Sequence, residues 1–449
     1  MSATLPSITT ASARFYAANE DPFLFHRVRT WWLLLAFFLM AQGNGLFTRQ
    51  DNSYFTLPAK QQELEGTYVL LLLTGVLWLI CVGLMVKGIA PTLRVMLKQK
   101  AVLAFAILAY LSTLWSQDPQ LTFRKATLLF LAFAFAWFFA TYYSPADQMR
   151  LLLAAGVIVA LASIAMALLL PQYGIASGGE WKGVFGQKNR LGLTIFFLFA
   201  GLPFCRISSG RRVLTLAVQA ILPVGLILLS QSKTSLILTA VLIAVRVFGP
   251  YIARRRRDQL PFVLYSAVVG IPLVAFVLIA SKDIVLTLLG RESTLTGRTD
   301  NWALIATYAF RHLWLGYGYN AFWTGTGDSL QLMTRINAAM IGSDSGYLDT
   351  MLQFGLVGMG LLLLVLLISV RDFVKLFRRR SVPLIAYWYA GLIIATFVGS
   401  FTEALFLPPV GISTFIFVVA CAGLRSLSHE NSSVSLYHDS ISDRPLAGV

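Results

Sequence analysis

The stretch GVFGQKNRLGLTIFFLFAGL, residues 183–202, sets two cations, Lys188 and Arg190, against an apolar run that reads as membrane-embedded. An ammonium or guanidinium is expensive in hydrocarbon, so the pair belongs where the run meets water, and its presence there calls for a reason. Working outward, the whole chain is apolar: of 449 residues, 57% are hydrophobic and 12% charged, and the mean hydropathy is positive. Charge this scarce excludes an ordinary soluble domain. About twelve apolar runs approach the roughly 20 residues a bilayer requires. They lie near 30–47, 67–87, 100–116, 125–143, 149–170, 191–208, 212–230, 234–252, 261–281, 347–370, 383–400 and 406–424. The predicted fold class is all-α, a polytopic integral membrane protein of about twelve transmembrane helices with a large periplasmic loop containing short amphipathic helices.

The formal net charge of +16 could point to nucleic acid. In a membrane protein, though, Lys and Arg are retained on the cytoplasmic side, and no nucleic-acid partner is expected. With both termini cytoplasmic, 23 of the 36 Lys and Arg residues fall inside, anchored by RRRR at 254–257 and RRR at 378–380. The expected division is a cytoplasmic N-terminal segment 1–29, a transmembrane domain 30–424 and a disordered cytoplasmic tail 425–449. The first apolar run begins too far from the initiator for a cleavable signal and is read as a helix. Cys81, Cys205 and Cys421 sit inside apolar runs as small hydrophobes, with no disulfide framework and no metal-ligand spacing.

Two expected periplasmic loops, 171–190 and 282–346, carry cations against the topological bias. Lys182 reads as solvated and Arg311 as snorkelling. Arg190 and Arg298 each sit in a Gly-bearing turn at a helix start, GQKNRLG and LTGRTDNW, where a guanidinium beside free backbone N–H groups suits phosphate or diphosphate oxygens; Lys188 joins them. From Asn301 to Trp314, Trp302, Ile305, Ala309 and Leu313 recur at helical spacing, predicting an amphipathic helix at the outer interface. WLGYGYNAFW then supplies Tyr317, Tyr319, Phe322 and Trp323, either an interfacial belt or a platform for sugar rings or a prenyl chain. In GSDSGYLDTMLQFGLVGMG, Asp344 precedes a span and Asp349 falls in its first turn; each carboxylate is a helix cap or a general base.

GVFGQKNRLG, TLTGRTDNW, LGYGYNAFW and SGYLDTMLQFGLVG, in that order across about 180 residues from Gly183 to Gly360, resemble the motif series of the O-antigen ligase and polymerase superfamily, most of all its ExoQ-type exopolysaccharide polymerase branch. The resemblance implies a metal-independent, inverting glycosyltransferase of the bacterial inner membrane, with its site facing the periplasm and no cofactor. Glycan would pass from an undecaprenyl-diphosphate carrier to an acceptor sugar hydroxyl. Arg190, Arg298 and Asp344 would be catalytic, and Gln187, Lys188, Asn189, Tyr317, Tyr319, Tyr347 and Glu403 would contact substrate. Membrane lipid, a chain-length regulator and an export complex are the implied partners. Family members usually carry His where this chain has Gln187 and Asp344. Ligation of finished chains to lipid A core, and a non-catalytic subunit of polysaccharide export, are the alternatives; a transporter fits poorly, because the apolar runs hold almost no charge apart from Arg246.

Overall fold

A computed structural model describes residues 89–205, 210–255, 298–336, 340, 342–377 and 382–429, with isolated positions in the first two apolar runs; over 210–219, 253–255 and 298–300 it describes the backbone alone. Among these residues the secondary structure is helical, with no strand and one isolated bridge, Ile175 to Trp181. In hydrocarbon every backbone group must be paired within its own segment, which is why apolar runs become helices. Their ends are written in the sequence. Asp118 accepts from the Leu121 N–H ahead of Pro119 to open α3 (Pro119–Tyr142), and Ser144 accepts from the Asp147 N–H ahead of Pro145 to open α4 (Pro145–Leu169).

α1 (Ile89–Lys98) and α2 (Lys100–Leu111) precede these two and meet at 96°. A short turn, α5 (Pro171–Gly174), leads to α6 (Lys188–Phe199), then α7 (Gly210–Leu229) and α8 (Lys233–Arg255). α9 (Arg298–Ala309) and α10 (Gly327–Ile336) form a small outer unit ahead of α11 (Gly346–Phe377), α12 (Leu384–Gly399) and α13 (Ile412–His429). α13 is the central helix, packed on α3, α11 and α12. The Phe415 ring lies 5.3 Å from both Phe37 and Phe135 and 5.5 Å from Phe139. A second, smaller core of Ile305, Tyr308, Tyr317, Phe322, Leu332 and Leu352 joins α9 and α10 to the start of α11. Large apolar side chains stand exposed on the outer faces of α4 (Leu161, Leu168), α7 (Ile221, Leu228) and α8 (Ile237, Val247), as a bilayer solvent permits and water does not.

The expected twelve spans are only partly seen. Five described helices are long and apolar enough to cross a membrane, or six if bent α1 and α2 count as one. The run near 191–208 is a helix of 12 residues followed by a 3-10 turn at Leu202–Phe204, and α12 has 16 residues, so neither meets the full length. Arg246, within α8, donates from Nε to the Pro203 carbonyl of that turn at 2.9 Å. The runs near 30–47 and 67–87, apart from isolated positions, and the run near 261–281 lie outside the described residues, as do Cys81 and the whole of the 282–297 segment. The expected boundary at 424/425 falls inside α13, which continues through His429.

Candidate functional site

Two of the four motifs meet at a break in α11. Gly355 has φ 59° and ψ −150°, a conformation reserved for glycine, and it frees backbone groups that a membrane helix must re-pair. LGYGY does this: the N–H groups of Tyr317 and Gly318 donate to the Leu352 and Gln353 carbonyls, and those of Leu356 and Val357 donate to Leu313 and Trp314. The approach is so close that a Cβ on Gly355 would stand 2.5 Å from the Leu313 oxygen. The same loop rests on the α2–α3 corner, where Thr122 donates to the Tyr319 carbonyl at 3.0 Å and the Tyr319 N–H donates to Ser112 Oγ at 3.0 Å. The outer turns of α11, with Asp344 just before them, are thereby held at a fixed angle.

GVFGQKNRLG comes to the same place from the other side. Asn189 Nδ2 donates to Glu403 Oε1 at 2.8 Å, and the Glu403 carbonyl accepts from the Gly346 N–H at 3.1 Å. Arg190 and Asp344 are both exposed, and Glu403 is half-buried. Desolvation lowers the Arg190 pKa while the carboxylates of Glu403 and Asp344 oppose that shift. Exposed by area yet partly stripped of water, Arg190 is in a setting where a guanidinium gains from an incoming anion. Lys188 is paired with Glu180 at 2.8 Å, and its hydrogen bond holds the Glu180 carboxyl below the usual carboxylate range. The pair is partly exposed and weak enough to exchange partners. Gln187 is exposed at the N-cap position without a capping bond.

Asp349 ties three motifs together. It is 8% exposed, and its Oδ1 accepts from the Ser343 N–H and from Trp323 Nε1, both at 3.1 Å, while Trp302 Nε1 donates to the Ser343 carbonyl at 2.8 Å. It therefore supports the SDSG loop that carries Asp344. Asp344 itself has φ 54°, a left-handed conformation that Asp tolerates better than most residues.

Several expected site residues sit elsewhere. Tyr317 and Tyr319 are buried, the first donating to the Tyr308 carbonyl and Asp328, the second donating to the Leu407 carbonyl and stacked on Phe354, so neither ring offers a face to a sugar. Tyr347 is half-buried against Phe401 and Phe406, with its hydroxyl on the Phe397 carbonyl. Arg298 opens α9, and its side chain lies outside the described residues. Lys182, expected in solvent, is 4% exposed. Arg311, expected to snorkel, pairs with Asp328 at 2.8 Å and lies over the Tyr308 ring. Of the cysteines, Cys205 is half-buried and Cys421 buried, both free.

The sequence reading passed over the turn SQSKTS, residues 230–235, between α7 and α8. Ser232 caps α8 by accepting from the Ser235 N–H, Lys233 stands exposed at the first helical position, and Thr234 Oγ1 lies 3.1 Å from Thr402 Oγ1, next to Glu403. Gly192 lets α6 touch this turn, since a Cβ there would lie 2.6 Å from Ser232 Cβ. A Ser-rich break between two apolar runs with a lysine after the cap was a readable signal of a second helix N-terminus beside the first.

The O-antigen ligase family matches the chain over residues 218–363, which takes in the last three motifs and begins after GVFGQKNRLG. The exopolysaccharide production protein ExoQ of Rhizobium meliloti (strain 1021) is 27% identical over 331 residues, 70% of this chain and 74% of that protein. The chain is a helical membrane protein, similar over residues 218–363 to the O-antigen ligase family and along most of its length to ExoQ.

Proposed function

We propose that the chain is an exopolysaccharide polymerase of the bacterial inner membrane, which transfers glycan from an undecaprenyl-diphosphate carrier to an acceptor sugar hydroxyl at the periplasmic face. The observation that carries this reading is the convergence of Arg190, Asn189, Glu403 and Asp344, with Lys188 and Lys233 on adjoining helix starts. Two helix N-termini and three cations suit a diphosphate. The acceptor oxygen attacks the anomeric carbon as the bond from that carbon to the diphosphate oxygen breaks, inverting the centre. The diphosphate leaves with the bonding electrons, and the hydroxyl proton passes to a base, for which the exposed Asp344 carboxylate is the candidate. Because the diphosphate is already a good leaving group, charge neutralisation by Arg190, Lys188 and Lys233 supplies much of the catalysis, and holding two lipid-borne substrates in line supplies more. In this scheme Arg298, on the adjoining helix α9, adds a further cation, and no metal ion is required. Displacement of Glu180 from Lys188 frees that ammonium for substrate.

Ligation to a lipid acceptor is the second reading, favoured by the description of the matching family as O-antigen ligase. The lipid-linked products of a deletion strain separate the two. Single repeat units accumulating on the carrier support a polymerase; long chains persisting on the carrier support a ligase and overturn the first reading.

A further inference from the structure

The end of the bundle farthest from Asp344 gathers cations from three distant parts of the chain. After its break at Gly355, α11 runs on to Phe377, about 33 Å at 1.5 Å per residue. That is enough to cross the ~30 Å hydrocarbon core, so its last turns lie opposite the candidate site. There Asp372, 2% exposed, meets Arg371 Nη2 at 2.9 Å, Arg425 Nη1 at 3.0 Å and Lys375 Nζ at 3.9 Å. His429 lies within electrostatic range of Asp372, Arg425, Lys375 and Lys98, which brings Lys98 to the edge of the cluster. One buried carboxylate thus faces three cations, Arg371, Lys375 and Arg425, with Lys98 beside them near His429. Arg425 Nε is buried without a hydrogen-bond partner.

Lys98 arrives on an element shaped for an interface. α1 turns 96° away from α2, which packs into the bundle, and the corner is pinned by buried Gln99, whose Nε2 donates to the Cys421 carbonyl at 3.0 Å. Ile89, Leu93 and Leu97 stand exposed at four-residue spacing, with Arg94, Lys98 and Lys100 exposed beside them. An apolar stripe edged by cations is the pattern of a helix lying in the plane of a membrane surface.

We propose that this end of the protein is a binding site for anionic phospholipid headgroups. Lys98 and Lys375 take the phosphate, and Leu93 and Leu97 sink among the acyl chains. Asp372 is an internal counter-charge that holds Arg371 and Arg425 in position; with three cations on it and Lys98 nearby, it leaves the end positively charged. A soluble phosphate would have no use for the adjoining apolar stripe, and an acidic protein surface would leave that stripe uncovered. The site is separate from the proposed transfer chemistry and does not depend on it.

The test uses the full chain in nanodiscs of phosphatidylcholine alone or mixed with phosphatidylglycerol, with retained lipid counted by native mass spectrometry. Phosphatidylglycerol is expected to be retained in preference, and K98Q and K375Q should each reduce that preference about fivefold, the effect of one cation near an anionic surface. For the unmodified protein the preference should fall with added salt, a readout that needs no variant. Equal retention of the two lipids, or a preference insensitive to both salt and the two substitutions, overturns the proposal. Displacement of phosphatidylglycerol by inorganic phosphate at comparable concentration assigns the cations to a free anion and overturns it as well. So does preferential binding of polyglutamate, which assigns the face to an acidic protein.

Discussion

In the proposed transfer, Asp344 concentrates the chemistry in one side chain. Its positive φ is a conformation in which Asp, Asn and His are each enriched, so Asn and His variants keep the loop and change only what the side chain can do. If the carboxylate accepts the acceptor's proton, Asp344→Asn should abolish polymer synthesis in a normally inserted protein, while Asp344→His, a neutral imidazole near pH 7, should sustain it. Full activity of the Asn variant removes Asp344 from proton transfer. Arg190 is tested by shape as much as by charge. Arg190→Lys keeps the charge and loses the planar fork, and a contact of about 1.5–3 kcal/mol weakened in this way costs about tenfold or more in polymer yield. Unchanged yield from Arg190→Ala rules out the diphosphate role. Lys233→Ala should lower yield without altering insertion, because Lys233 is exposed and its loss leaves no void.

The broken helix α11 makes a prediction of its own. Gly355 and Gly360 are both glycines of one apolar helix, yet only the first is required by the backbone. Gly355→Ala meets a glycine-only conformation, about 1–3 kcal/mol by itself, and pushes a methyl group into the Leu313 carbonyl. It should lower the thermal midpoint and polymer yield together, since the LGYGY loop and the Asp344 turn both hang from that break. Gly360 has open space around the Cβ position, and Gly360→Ala should be neutral or slightly stabilising, in keeping with the higher helix propensity of alanine. Equal effects of the two substitutions would show that the break does not position the site.

Across the whole molecule, α11 is long and apolar enough to cross a membrane, and the proposed topology sets Asp344 at one end and the Arg371 to Arg425 cluster at the other. Reporters fused after Asp328 and after His429 should therefore respond as periplasmic and cytoplasmic respectively. Both reporting from the same compartment would overturn the assigned faces of the site and of the cationic end together.

Helical membrane character was legible in composition and run length because hydrocarbon leaves the backbone no alternative, and the motif order was enough to suggest the family. Arg190 and Asp344 stood out as candidates from their place at apolar run ends, and Asn189 and Glu403 from the motif resemblance; the fold brings these four together. Contact across distant segments was not legible. That LGYGY would bury its tyrosines to repair a break in α11, that Lys188 would sit on Glu180, and that Asp349 would bind Ser343 and Trp323 depend on which helix ends the packing brings together. An aromatic turn reads alike whether its rings face substrate or core. Only the folded chain distinguishes the two, because burial is a property of neighbours far away in sequence. The same holds for the cationic end: Asp372 meets Arg425 of α13, and Lys98 comes near His429, because of the turn between α1 and α2 and the packing of α13.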